Sequence, residues 1–80
     1  MVITGSQIRT ARSLLGWDQG RLARACKLRI ETLVRAESVE GEPPITVTHA
    51  QVIRGVLERA GIEFRTGAST GVALRATSAA

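Results

Sequence analysis

Lysine and arginine gather between Arg21 and Arg35, where Arg21, Arg24, Lys27, Arg29 and Arg35 interrupt apolar residues at helical spacing. Such cations bind phosphate oxygens, and an arginine can also bond guanine O6 and N7 in bidentate fashion. The residues behind them are periodic. Leu22, Ala23 and Cys26 follow Asp18, whose carboxylate can accept a backbone N–H and so start a helix. Leu33 and Ala36 form the buried side of a second short helix that begins near Arg29. Between the two, Lys27 and Leu28 leave room for a three-residue turn, with Leu28 pointing inward. Two short helices around a tight turn are the layout of a helix-turn-helix DNA reader, whose second helix projects its outer face into a major groove.

The charge pattern agrees with that placement. Residues 1 to 36 hold seven cations (Arg9, Arg12, Arg21, Arg24, Lys27, Arg29 and Arg35) against Asp18 and Glu31, a balance of +5. From residue 37 to 64, Glu37, Glu40, Glu42, Glu58 and Glu63 outweigh Arg54 and Arg59 to give −3, and Arg65 and Arg75 bring the chain to +4. A basic half joined to an acidic half offers a polyanion one preferred face, where uniform basicity would only make the chain adhesive.

Other chemistries find little to work with. The single His49 falls at the first turn of a helix, the single Cys26 on a buried helix face, and no carboxylate pair is enclosed, so no enzyme activity is expected. Small-residue core packing accounts for Cys26. One cysteine forms no internal disulfide, and with no Cys/His cluster at ligand spacing neither metal nor cofactor is expected. Trp17 and Phe64 are the only aromatics, too few for a platform that stacks single-stranded bases. No long apolar run points to a membrane, and MVITGSQIR has no signal-peptide core, so a cytoplasmic protein is expected. Eighty residues make one domain, which buries only a little over roughly 60% of its unfolded surface, and self-association would relieve that.

The elements that position these residues can be read along the chain. Thr4 and Gln7 form a T-x-x-Q capping box, and Ile8, Ala11, Leu14 and Leu15 make an apolar stripe up to Gly16. The first helix therefore covers about residues 5 to 15, the second 19 to 26 and the third 30 to 37. Gly41, Pro43 and Pro44 mark a long acidic loop. A second T-x-x-Q box, Thr48 and Gln51, opens a fourth helix over about 48 to 60, with Val52, Ile53, Val56, Leu57 and Ala60 inside. After Gly61 the period changes to two. Ile62 and Phe64, then Val72 and Leu74, alternate with other residues around a Gly/Ser/Thr-rich turn, so residues 62 to 75 read as a β-hairpin. Residues 76 to 80 are expected to fray.

In order and spacing, Leu14-Leu15-Gly16-Trp17-Asp18-Gln19 with Leu22-Ala23, then Thr32-Leu33 to Glu37, then Gly61-Ile62-Glu63-Phe64, resemble the phage-repressor-like (XRE-type) family of helix-turn-helix transcriptional regulators over about residues 4 to 75. The resemblance implies a mainly α fold: a four-helix repressor-like domain, here with a C-terminal β-hairpin. It implies that Gln19 touches the DNA backbone and that Arg29, Ile30, Glu31, Val34 and Arg35 occupy base-reading positions. At those positions Arg29 or Arg35 can bind guanine, Ile30 or Val34 can meet a thymine methyl, and Glu31 can accept from cytosine or orient an arginine. Arg21 and Lys27 complete the candidate DNA contacts. It further implies an internal salt bridge between Arg12 and Glu37, two charges that are costly on inward helix edges unless paired. Trp17 matches a core aromatic.

The chain departs from the family pattern at three places. Lys27 stands where the family favours glycine and Arg29 where it favours a Ser or Thr cap, each costing about 1 kcal/mol locally, so a looser turn is expected. Ala36 replaces a larger residue, so a thinner core beneath the third helix is expected. The function implied is sequence-specific binding of double-stranded DNA by a transcriptional regulator, a repressor by preference, with no small-molecule ligand. A homodimer is expected through an apolar strip of Ile62, Phe64, Val72 and Leu74. The alternative is a protein-binding antitoxin or antiactivator that uses the same scaffold.

Overall fold

The computed structural model describes residues 3 to 65 and 71 to 74. Four helices, α1 (Gly5–Leu15), α2 (Gln19–Cys26), α3 (Ile30–Glu37) and α4 (Val47–Arg59), precede two strands, β1 (Ile62–Arg65) and β2 (Gly71–Leu74). The fold is thus mainly helical with a C-terminal hairpin. The turn linking the strands and the residues after 74 lie outside the described residues, as does the expectation that the tail frays.

Local chemistry sets the helix ends. Thr4 Oγ1 accepts from Gln7 N at 3.1 Å while Gln7 Oε1 accepts from Thr4 N at 2.9 Å, the reciprocal capping box. At the other end of α1, Gly16 takes φ 71, Gly16 N donates to Ser13 O, and Trp17 N donates to Arg12 O at 2.9 Å. That paired return satisfies carbonyls the helix leaves unbonded. Asp18 Oδ1 accepts from Arg21 N at 2.7 Å and starts α2.

At the end of α2 the same return is made by Lys27 at φ 58, with Lys27 N on Arg24 O and Leu28 N on Ala23 O at 3.0 Å. The looser turn expected from Lys27 is not found: the lysine accepts the left-handed backbone, and the two returning hydrogen bonds close the turn fully. Arg29 caps α3 without any side-chain hydrogen bond.

The opening of α4 differs from expectation. Its cap is Thr46, whose Oγ1 accepts from His49 N at 3.1 Å, so the helix starts at Val47 and Thr48 lies inside its first turn. The helix buries Ala50, Ile53, Val56 and Leu57, whereas Val52 is 36% exposed and Ala60 half-buried. Leu14 is likewise on the outside of α1, because Ile8 and Ala11 already fill the inner stripe and Leu15 packs at its edge.

Every helix and β1 contribute to one core. Ile8, Leu22, Leu33, Ile53, Leu57 and Ile62 are its largest fully buried side chains, each worth about 1.5–3 kcal/mol over an exposed position. Trp17 and Leu28 pack against its margin, as expected. α1 and α3 meet through small residues. A Cβ on Gly5 would fall on the Val39 carbonyl oxygen and within 2.6 Å of that of Ala36. Gly5 N donates to Gly41 O at 2.8 Å, tying the start of α1 to the loop after α3. Ala36 is itself fully buried, and its carbonyl oxygen takes part in this close approach.

The strands pair antiparallel with Ile62 opposite Leu74 and Phe64 opposite Val72. β2 packs on α1 and β1 on α4. Ile62 is therefore a core residue of its own chain, and the expected outward strip contracts: Phe64 and Val72 are half-buried against the core, while the Leu74 side chain lies outside what is described.

Candidate nucleic-acid interface

The helical period divides α3 into two sides. Leu33, Ala36 and Glu37 face in, while Ile30, Glu31, Val34 and Arg35 face out, together with Arg29 at the cap and Lys27 in the turn. The structure thus assembles six of the eight candidate DNA contacts around one helix. Arg24, Lys27, Arg29 and Arg35 are exposed, and among the described residues none of them is in an ion pair.

Other cations are engaged within the fold. Arg12 Nε and Nη2 grip Glu37 Oε2 and Oε1, both at 2.8 Å, and Arg12 Nη1 donates to Trp17 O at 2.9 Å. The Glu37 side chain is only 3% exposed. The expected internal salt bridge is present in bidentate form. Its hydrogen bonds raise the Arg12 pKa above the ordinary value, against the opposing effect of burial. Arg9 bonds the Glu37 and Val39 carbonyls and the Glu40 carboxylate, the first and last at 2.6 Å. A cation on the closing carbonyls of α3 also suits the negative end of its dipole.

The remaining candidates sit at the start of α2. Gln19, half-buried, donates from Nε2 to Glu37 Oε1 at 3.2 Å, so its amide is tethered to the salt bridge. Arg21 is exposed, with its guanidinium 4.8 Å from the centre of the Trp17 ring. Trp17 packs on the core with one side and carries this cation on the other. Gly20 of α2 lies beside Ile30 of α3: a Cβ there would be in ordinary contact, 4.0 Å from Ile30 Cδ1.

Thr32 and Arg35 of α3 also line an open cleft of about 340 Å³ with Pro44, Ile45, Thr46 and His49. Sequence reasoning missed this grouping, because its two halves meet only when the 38–46 loop folds back. It missed Arg9 and Gly5 for the same reason. Cys26 lies in the core, and desolvation pushes its thiol up to about 11, so at neutral pH it stays protonated and unreactive. Among the described residues no group of three or more His, Cys, Asp or Glu can hold a metal ion, and no helix is long and apolar enough to cross a membrane. Comparison with protein-family models finds no match, and comparison with curated proteins and with solved structures finds none either.

Proposed function

We propose that this chain is a sequence-specific, double-stranded DNA-binding transcriptional regulator that inserts α3 into the major groove. The observation that carries the reading is the division of labour on α3. Its inner edge is locked by Arg12–Glu37, while its outer face presents Arg29 and Arg35, which form no ion pair among the described residues. A rigid element with unspent, forked donors suits base and phosphate recognition, and the resemblance to phage-repressor-like regulators points the same way. Repression by occupying an operator is the simplest mechanism for a unit of this size, and the cytoplasm is the compartment where it acts.

The test is a mobility shift over a salt series with genomic fragments, followed by footprinting. Arg29→Ala and Arg35→Ala should each weaken the preferred site by about 1 to 3 kcal/mol where the residue makes a bidentate base contact. Gln19→Ala should weaken all sequences alike. An unchanged affinity of the double arginine variant for the footprinted site would remove α3 from the recognition role.

A second reading, a protein-binding antitoxin or antiactivator, draws on Val47, 57% exposed at the start of α4. Capture of a defined partner with no loss on Arg29→Ala/Arg35→Ala substitution would favour it.

A further inference from the structure

The cleft between α3 and the start of α4 differs in charge from the loop that builds it. Residues 37 to 42 hold three glutamates, yet none of the six residues lining the cleft is acidic: Thr32 and Arg35 come from α3, Pro44, Ile45 and Thr46 from the loop, and His49 from α4. Glu37 and Glu40 are paired with Arg12 and Arg9 instead. Arg35 enters no ion pair among the described residues, so its charge stands uncompensated at the cleft. Across from it, Thr46 Oγ1 accepts from His49 N at 3.1 Å, which leaves the hydroxyl hydrogen able to donate elsewhere. A guanidinium, two hydroxyls and an imidazole thus line one space with donors from both sides, while Pro44 and Ile45 add apolar surface. The loop is held in place, since Pro43 is buried and Ile45 N donates to Pro43 O at 2.8 Å.

The volume of about 340 Å³ falls at the small end of the range of roughly 300–1,000 Å³ for small-molecule sites. A phosphate group meets the donor set: several acceptor oxygens on one centre suit a forked guanidinium and hydroxyls together. The apolar side suits whatever the phosphate is esterified to. We propose that this cleft binds a small phosphate monoester with a compact apolar group, and that the ligand competes with duplex DNA for Arg35. The binding stands on the cleft alone, and the competition rests on the DNA-reading function above.

Phenyl phosphate, inorganic phosphate and phenol are each titrated into isotopically labelled wild-type protein without DNA, at constant ionic strength. Amide resonances of Thr32, Arg35, Ile45 and His49 should shift with the ester, more weakly with inorganic phosphate, and not with phenol. Arg35→Gln should weaken the ester about ten-fold or more, the loss expected for a hydrogen bond to a charged group. His49→Ala and Thr32→Val should weaken it too, with circular dichroism unchanged. With the ester at ten times its dissociation constant, affinity for the footprinted duplex should fall about ten-fold, as for mutually exclusive ligands. His49→Ala should remove most of that fall and leave duplex affinity itself unchanged.

Shifts that spread equally over Arg21, Arg24 and Arg29 would mark general attraction of an anion to basic side chains and overturn the proposal. Ester binding that survives in folded Arg35→Gln and His49→Ala proteins does the same. If His49→Ala weakens the duplex with no ester present, the cleft takes a backbone phosphate of DNA and the small ligand is wrong. Ester bound in the cleft without any effect on the duplex overturns the competition. A wild-type protein that selects no duplex overturns the DNA reading, and the ester site is then decided by the first titration.

Discussion

Both oxygens of the Glu37 carboxylate are occupied by donors from two other helices, Arg12 of α1 and Gln19 of α2. With Glu37 itself closing α3, one buried group orients three helices at once. The energetic consequence is asymmetric. Removing one partner strands a charge in the interior at a cost of about 3 to 5 kcal/mol, whereas removing both leaves a defect that neutral side chains can fill. Urea unfolding of Arg12→Met and Glu37→Gln should show losses of that order, a large part of what so small a domain has. The double variant should lose clearly less than the sum. Additive losses below 1 kcal/mol would mean that the two charges act independently. The pair was legible through the family resemblance, which puts a charge of each sign on inward helix edges. Arg9 bore no such mark, because the carbonyls it bonds belong to the chain 28 and 30 residues further on.

At the scale of elements, the helix limits that depend on adjacent residues were legible. The Thr4–Gln7 box, the Asp18 cap and the Gly16 stop are each complete within a few residues, so their pattern states their geometry. α4 was misread by one residue, since Thr46 and Thr48 both stand before an apolar run and local spacing cannot choose between them. Tertiary packing decides. The packed helix buries Ala50, Ile53, Val56 and Leu57 and leaves Thr46 at its cap. Thr46→Ala is therefore expected to cost about 1 kcal/mol and Thr48→Ala only a few tenths, measured by thermal or urea unfolding. The reverse order would restore the later start.

The contact of Gly5 with Ala36 was invisible for another reason. Both are ordinary small residues in sequence, and only the close approach of Gly5 to the Ala36 carbonyl gives the glycine a purpose. Among the proposed DNA contacts, the outward residues of α3 were legible from helical period, whereas the Gln19 tether was not.

At the scale of the whole molecule, α3 is the limiting dimension. Its eight residues at about 1.5 Å of rise span about 12 Å, or three to four base pairs at about 3.4 Å per step. On the proposed DNA-reading function, one copy would therefore read too little sequence to single out an operator. A second copy related by a twofold axis would double the site and require its half-sites to lie about 34 Å apart, one turn of DNA. The proposed contact is the hairpin. It is a two-stranded antiparallel sheet, and the edges of so small a sheet are a common template for pairing with another chain. With Ile62 taken by the core, Phe64 and Val72, opposite each other in the register, pack against the core and remain only partly exposed. Sedimentation at micromolar concentration should find a dimer. Phe64→Asp should shift it to monomer and weaken binding to a palindromic site far more than to a single half-site. Because Phe64 also packs on the core beneath Arg54, the variant's helical circular dichroism must first match the wild type. A wild-type monomer, or a folded Phe64→Asp protein that still dimerises, would remove the hairpin as the interface.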